Sequence, residues 1–132
     1  MDVITTHVNA DFDCLASMVA AAKFYPEAKL VFAGSQEQSL RQFFLHAASY
    51  TLKFDRLKNI ELEKVTRLII VDTRSRKRIG KFAELIGKPG VEVHIYDHHP
   101  AAPGDIPADE SVIRKRGSTT TIFVELFREK GI

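Results

Sequence analysis

Val91-Glu92-Val93-His94-Ile95-Tyr96-Asp97-His98-His99 is an apolar run that hands over one carboxylate and two imidazoles where a buried strand would release its chain into a loop. Two other stretches repeat the arrangement. Val3-Ile4-Thr5-Thr6 runs into His7, Asp11 and Asp13, and Leu68-Ile69-Ile70-Val71 runs into Asp72. In an open parallel sheet the carboxyl ends of the strands share one edge, and such sheets bind ligands along it. Three strand ends therefore bring seven candidate metal ligands toward one place.

Working outward from these runs, strands and helices alternate. Residues 2–7 read as a buried strand and Asp13–Tyr25 as a helix, with Leu15, Met18, Val19 and Ala22 at helical spacing and Pro26 closing it. Residues 29–33 form a second strand, ended by Gly34. Ser35 caps a helix carrying Leu40, Phe43, Phe44 and Ala47. Short strands are expected near Leu52 and near Ile60-Glu61-Leu62. Strong strands follow at Arg67–Val71 and Val91–Tyr96, separated by a helix over Arg78–Ile86 that Gly87-Lys88-Pro89-Gly90 stops. Pro100-Ala101-Ala102-Pro103-Gly104 is a loop, Ser111–Arg114 an edge strand, and Gly117-Ser118 opens a last helix running to Ile132 without a clear stop. The alternation predicts an α/β domain: a mostly parallel sheet flanked by helices on both faces.

The bulk numbers exclude several classes. An apolar fraction of 45% and a charged fraction of 27% are those of an ordinary globular domain, and a net charge of +2 is too small to argue for nucleic acid by itself. No apolar run reaches the ~20 residues that span a bilayer. Met1-Asp2-Val3-Ile4 lacks the basic start of a signal peptide. With Cys14 as the only cysteine there is no internal disulfide, and a cytoplasmic setting is expected.

Carboxylates with one or two imidazoles suit hard or borderline ions such as Mn²⁺, Mg²⁺ or Fe²⁺. Asp72, on a strand between the others, could bridge two ions. Taken one at a time, Asp11 or Asp13 is an ordinary helix cap, Asp72 a turn cap, and His98 and His99 loop histidines. All of them sitting at strand ends favours a metal centre. His94 and His46 read as structural, and Cys14 as a small buried residue. Gly117-Ser118-Thr119-Thr120-Thr121 could hold a phosphate at a helix N-terminus or merely cap it. The basic runs Arg74–Arg78 and Arg114–Arg116 flank the same edge and would attract an anion.

These residues resemble the DHH phosphoesterase superfamily over nearly the whole chain. His7-Val8-Asn9-Ala10-Asp11-Phe12-Asp13 with Ala16-Ser17 resembles its first motif, Val71-Asp72 its second, Asp97-His98-His99 its third, and Gly117–Thr121 the Gly/Ser/Thr-rich segment that follows. The resemblance implies a Rossmann-like domain that binds two Mn²⁺ or Mg²⁺ ions and hydrolyses phosphodiester or phosphoanhydride bonds with a metal-activated water. It implies that His7 and Asp11 hold one metal, Asp13 and His98 the other, and that Asp72 bridges them. Asp97 would support the site, and His99 would face the scissile phosphate. Arg74, Gly117, Ser118 and Thr119 would bind substrate.

Family enzymes also carry a fourth-motif aspartate well beyond the third motif and a C-terminal substrate domain, neither of which this chain supplies. The first-motif wording is similar to that of N-terminal DHH domains in long bacterial proteins with CBS domains and a tRNA nucleotidyltransferase/poly(A) polymerase core. Residues 1–132 are thus expected to be one domain of a longer protein. Its partners would be a nucleotide, another phosphorylated small molecule or RNA, with further domains of the same chain; no membrane is expected, and a homodimer is left open. The competing expectation is a metal- and nucleotide- or RNA-binding accessory domain that does not itself hydrolyse.

Overall fold

The computed structural model describes the backbone of residues 1–46 and 53–132 and the side chains of 1–44 and 53–132. Ala47 and the strand expected near Leu52 lie outside those residues, as does the side chain of His46. Five strands, β1 (Asp2–Thr5), β2 (Lys29–Leu30), β3 (Arg67–Val71), β4 (Glu92–Asp97) and β5 (Glu110–Ile113), form one sheet in the order β2-β1-β3-β4-β5. Every pairing is parallel. The register sets Ile4 beside Ile69 and Ile69 beside His94. β3 reads as a continuous Leu/Ile/Val run, and β1 buries Val3, Ile4 and Thr5 in succession, because both faces of a central parallel strand are covered.

Helices α1 (Phe12–Ala21) and α3 (Thr119–Lys130) pack together on one face. Met18 and Ala21 of α1 and Ile122, Phe123 and Leu126 of α3 meet Ile4, Ile69 and Val71 of the sheet. Each such fully buried side chain contributes about 1.5–3 kcal/mol of transfer free energy. The other face, carrying Val3, Leu68, Ile70, Val93 and Ile95, is covered by Ile79, Phe82 and Leu85. Helix α2 (Gln38–His46) lies against α1, where Leu40 joins Ala10, Cys14 and Leu15.

The segment expected to be an α-helix over 78–86 is instead two 3₁₀ turns, Arg76–Arg78 and Gly80–Leu85. The reason is local. Gly80 has φ 55, and a Cβ there would meet the Ala33 carbonyl oxygen at 2.6 Å. The apolar positions Ile79, Phe82 and Leu85 also repeat every third residue, the period of a 3₁₀ helix. The strand expected near Ile60–Leu62 is replaced by the 3₁₀ turns Leu57–Asn59 and Leu62–Lys64. Helix α1 stops at Ala21, earlier than Tyr25, and Tyr25 turns inward to hydrogen-bond His94 (2.7 Å) and Tyr96 (2.8 Å).

Helix α3 does have a stop. Gly131 adopts φ 71, and the Ile132 N–H donates to the Phe127 carbonyl at 2.9 Å, closing the last turn. Among the described residues no helix is long and apolar enough to cross a membrane.

Candidate metal centre

The order of strands reverses between β1 and β3: the chain leaves β1 toward β2 on one side and returns through β3 on the other. In open α/β sheets the carboxyl-end crevice at such a reversal is the ligand site. The Thr6 hydroxyl fastens it by donating to the Val71 carbonyl at 2.8 Å. His7 emerges there from β1, Asp72 from β3, and Asp97, His98 and His99 from β4.

Asp72 is the centre of the arrangement. It is 4% exposed and sits at φ 68, in the left-handed region that a non-glycine residue enters only when its surroundings hold it. Its N–H donates to the Tyr96 carbonyl at 2.9 Å. One carboxylate oxygen, Oδ1, accepts from the Thr119 hydroxyl (2.9 Å) and faces His98 Nε2 (3.1 Å). The other, Oδ2, faces His7 Nε2 (3.3 Å) and Cys14 Sγ (3.3 Å). The carboxylate thus stands between two imidazoles, one on each oxygen.

Both imidazoles are oriented from behind. His98 Nδ1 lies 3.0 Å from the Arg116 carbonyl and His7 Nδ1 2.8 Å from the Val8 carbonyl. A carbonyl only accepts, so each Nδ1 carries the hydrogen, and each ring, whenever it is neutral, points its Nε2 lone pair at Asp72. The Arg78 guanidinium also approaches His7 Nδ1, at 3.2 Å. That contact would need the opposite tautomer, and the shorter carbonyl contact decides against it. Lone pairs directed at a carboxylate need a cation between them, either a proton or a metal ion. A proton partly answers for His7: hydrogen bonding to Asp72 raises its pKa against the opposing effect of burial. Burial pushes the Asp72 carboxyl up, but the bonds from His7, Thr119 and Cys14 outweigh it and hold the pKa down at about 2.

Next to this pair stands a clamp. Asp97, fully buried, receives His99 Nδ1 at 2.6 Å on one oxygen and Arg74 Nε at 3.1 Å on the other. Arg74 closes the loop by donating to the His99 carbonyl at 2.6 Å. His99 is thereby fixed with its ring part-exposed. A cavity of about 150 Å³ adjoins it, lined by Thr73, Arg74, Arg78, Asp97, His99 and Asp105 among others.

Among the described residues, the potential ligand atoms within 4.8 Å of one another form two clusters: His7, Cys14 and Asp72, and Asp72, Asp97, His98 and His99. Asp72 belongs to both. Asp11 and Asp13 join neither. Asp11 caps α1, accepting from the Cys14 N–H at 3.0 Å. Asp13 accepts from the Thr119 and Thr120 N–H groups (3.3 Å each) and from the Thr120 hydroxyl, so a carboxylate of the chain itself occupies the N-terminus of α3. That is where a phosphate was expected. Ser118 is the cap of α3, accepting from the Thr121 N–H at 3.2 Å, while Thr119 supports Asp72. Gly117 stands in open space. In the sequence Cys14 reads only as a small buried residue and Arg78 only as part of a basic run; the structure sets the thiol against His7 and Asp72 and the guanidinium against His7.

Residues 3–131 match the DHH family, N-terminal domain. The chain belongs to the DHH family. An A-adding tRNA nucleotidyltransferase of Geobacter sulfurreducens is 56% identical over 132 residues, all of this chain and 15% of that protein. Another A-adding tRNA nucleotidyltransferase, from Aquifex aeolicus, is 30% identical over 136 residues, covering 98% of this chain and 14% of its own length. The DHH chain therefore spans about 15% of the curated relatives it matches. In fold it is similar to an exopolyphosphatase-related protein from Bacteroides fragilis, with a TM-score of 0.72 and 16% identity over 98% of this chain and 39% of that one.

Proposed function

We propose that this DHH domain is a metal-dependent phosphoesterase domain that hydrolyses a phosphodiester or phosphoanhydride bond of a nucleotide or RNA end. The observation that carries the reading is the Asp72 carboxylate with an imidazole Nε2 beside each oxygen (3.3 and 3.1 Å), so that two ions could share it. His7 and Asp72 would hold one ion, and Asp72 and His98 the second. The donor set is imidazole nitrogen and carboxylate oxygen, which fits Mn²⁺ and, less well, Mg²⁺. Bound divalent ions supply Lewis-acid stabilisation of charge developing on phosphoryl oxygens and a water nucleophile at neutral pH.

The chain's own residues account for the rest. His99, held by Asp97, presents its free ring nitrogen to a scissile phosphate and is placed to donate a proton to the leaving oxygen. Arg78, with Arg74 behind it, attracts the phosphoryl group. A cavity of about 150 Å³ is smaller than an ordinary ligand pocket and suits a phosphoryl group rather than a whole nucleoside. The remainder of a substrate would then lie across the open edge, against further domains of the longer protein. Asp11 spends one oxygen on its cap and could turn the other toward an ion, whereas Asp13 has both oxygens engaged at the first turn of α3.

A second reading has its own support. Both sequence relatives are A-adding tRNA nucleotidyltransferases of which this domain matches a small part. The domain could bind metal and nucleotide or RNA as an accessory to nucleotide addition. Mn²⁺-dependent hydrolysis of short oligoribonucleotides and nucleotides separates the two, with His99→Ala alongside. Turnover lost in His99→Ala while Mn²⁺ still binds supports the hydrolase. Tight Mn²⁺ binding with no turnover on any of them in the full-length protein supports the accessory role and overturns the first reading.

A further inference from the structure

Cys14 stands one residue past Asp13; it packs with Ala10, Leu15 and Leu40 in the core, and its thiol also reaches two polar atoms. Its Sγ lies 3.1 Å from His7 Nε2 and 3.3 Å from Asp72 Oδ2, and those two atoms lie 3.3 Å apart. The three form a nearly equilateral triangle of nitrogen, sulfur and oxygen. All three residues are more than nine-tenths buried.

Hydrogen accounting shows what the triangle lacks. With the His7 Nδ1 hydrogen committed to the Val8 carbonyl, Nε2 of the neutral ring is an acceptor, as is the carboxylate. The thiol owns a single hydrogen and can serve one of them. While the ring is neutral, the three buried polar atoms share one proton, a shortfall of hydrogens among them. A cation in contact with all three removes it at once. Tetrahedral coordination with bonds of about 2.0–2.3 Å sets neighbouring ligand atoms roughly 3.3–3.6 Å apart; the two edges at Asp72 Oδ2, 3.3 Å each, match, and the 3.1 Å sulfur–nitrogen edge would have to open by a few tenths of an ångström.

The geometry points to Cys14 as a thiolate ligand of the His7–Asp72 metal position, making it an N,S,O site that prefers borderline ions such as Zn²⁺ or Co²⁺ over Mn²⁺ and Mg²⁺. The inference rests on the metal reading above and adds asymmetry to it. An ion held by His7 and Asp72 would meet the Cys14 sulfur, whereas one held by Asp72 and His98 would meet only nitrogen and oxygen. On coordination the S–H bond is broken, the electron pair stays on sulfur, and the proton leaves to solvent. The ion's charge would replace the proton on sulfur. Soft sulfur raises affinity for Zn²⁺ and Co²⁺ far more than for Mn²⁺. Cys14 thereby makes one of the two metal positions selective.

The test is Co²⁺ titrated into the metal-stripped protein and followed by absorption, with Zn²⁺/Mn²⁺ competition measured in parallel. The expected result is a sulfur-to-cobalt charge-transfer band that is absent in Cys14→Ser. The variant's preference for Zn²⁺ over Mn²⁺ should fall by about tenfold or more. Co²⁺ binding without that band in the unaltered protein, abolished by Asp72→Asn, overturns the thiolate and leaves the metal centre standing. No Co²⁺ binding at all overturns both. Because the decisive band belongs to the unaltered protein, a poorly folding variant does not obscure the answer.

Discussion

Replacing Asp72 with asparagine removes one charge and almost no volume. Asparagine accepts a φ of 68, so backbone strain is not part of the effect. Each native carboxylate oxygen faces one imidazole, at 3.3 Å and 3.1 Å, whereas an amide offers an oxygen to only one of them. Losing a residue that merely orients a ligand lowers metal affinity by about 10–100-fold. Losing the anion shared by both positions exceeds that, so Mn²⁺ affinity should fall by roughly 100-fold or more.

The metal-stripped protein behaves differently. While His7 is protonated, Asp72→Asn deletes a charge-assisted bond worth about 1.5–3 kcal/mol, which lowers Tm by roughly 5–15 °C. Above the pKa of His7 the amide can donate to the neutral ring, and the variant should match the native protein within about 1 kcal/mol. Titration calorimetry with Mn²⁺, and melts with chelator at about pH 5.5 and about pH 9, read both effects. Unchanged Mn²⁺ affinity, or an equal Tm loss at the two pH values, would refute the reasoning.

Three further outcomes are expected. Because the His7 pKa is raised on folding, its pairing stabilises the metal-stripped chain fully below the unfolded value near ~6.5 and is lost as pH rises through the folded value. The Asp72 pKa is lowered, so its share is present above ~4 and disappears as pH falls through about 2; a pH series of chelated melts should show both flanks. Substituting His99→Ala should cut turnover by about 10²–10⁴-fold while leaving Mn²⁺ affinity within a few-fold, because its ring is held by Asp97 rather than by Asp72; a comparable loss of Mn²⁺ affinity would make His99 a ligand. Gly80→Ala forces a methyl to within 2.6 Å of the Ala33 carbonyl oxygen at a φ of 55, and should lower unfolding free energy by about 2 kcal/mol or more in urea. An unshifted urea midpoint would show that the close approach is not rigid.

The edge of the sheet was readable because β1, β3 and β4 are buried on both faces, and a run such as Leu68–Val71 has no other reading at that length. His7, Asp72, Asp97, His98 and His99 could be placed together from strand ends alone, since a parallel sheet aligns those ends whatever the loops do. What lay beyond reach was pairing across the chain. Asp13 reads as a ligand in its motif, and its carboxylate also accepts from the first turn of α3 more than a hundred residues away, through the Thr119 and Thr120 N–H groups. No local pattern announces which helix N-terminus a carboxylate will meet.

Other misses were closer to legible. Ile79, Phe82 and Leu85 keep a strict three-residue period, and with Gly80 among them a 3₁₀ segment was a better reading than an α-helix. The stop of α3 was visible as Gly131 after Lys130. Cys14 reads as a small buried residue and is one, packed with Ala10, Leu15 and Leu40; what no local pattern announces is that its Sγ meets His7 and Asp72.

The most direct measurement is anomalous diffraction at the manganese edge from crystals of the protein grown with Mn²⁺. The account predicts two peaks about 3.5–4 Å apart, one on each oxygen of Asp72, with His7 beside one and His98 beside the other. Density for manganese elsewhere, or none at Asp72 with Mn²⁺ well above its solution affinity, would contradict the claim that this edge is a metal centre.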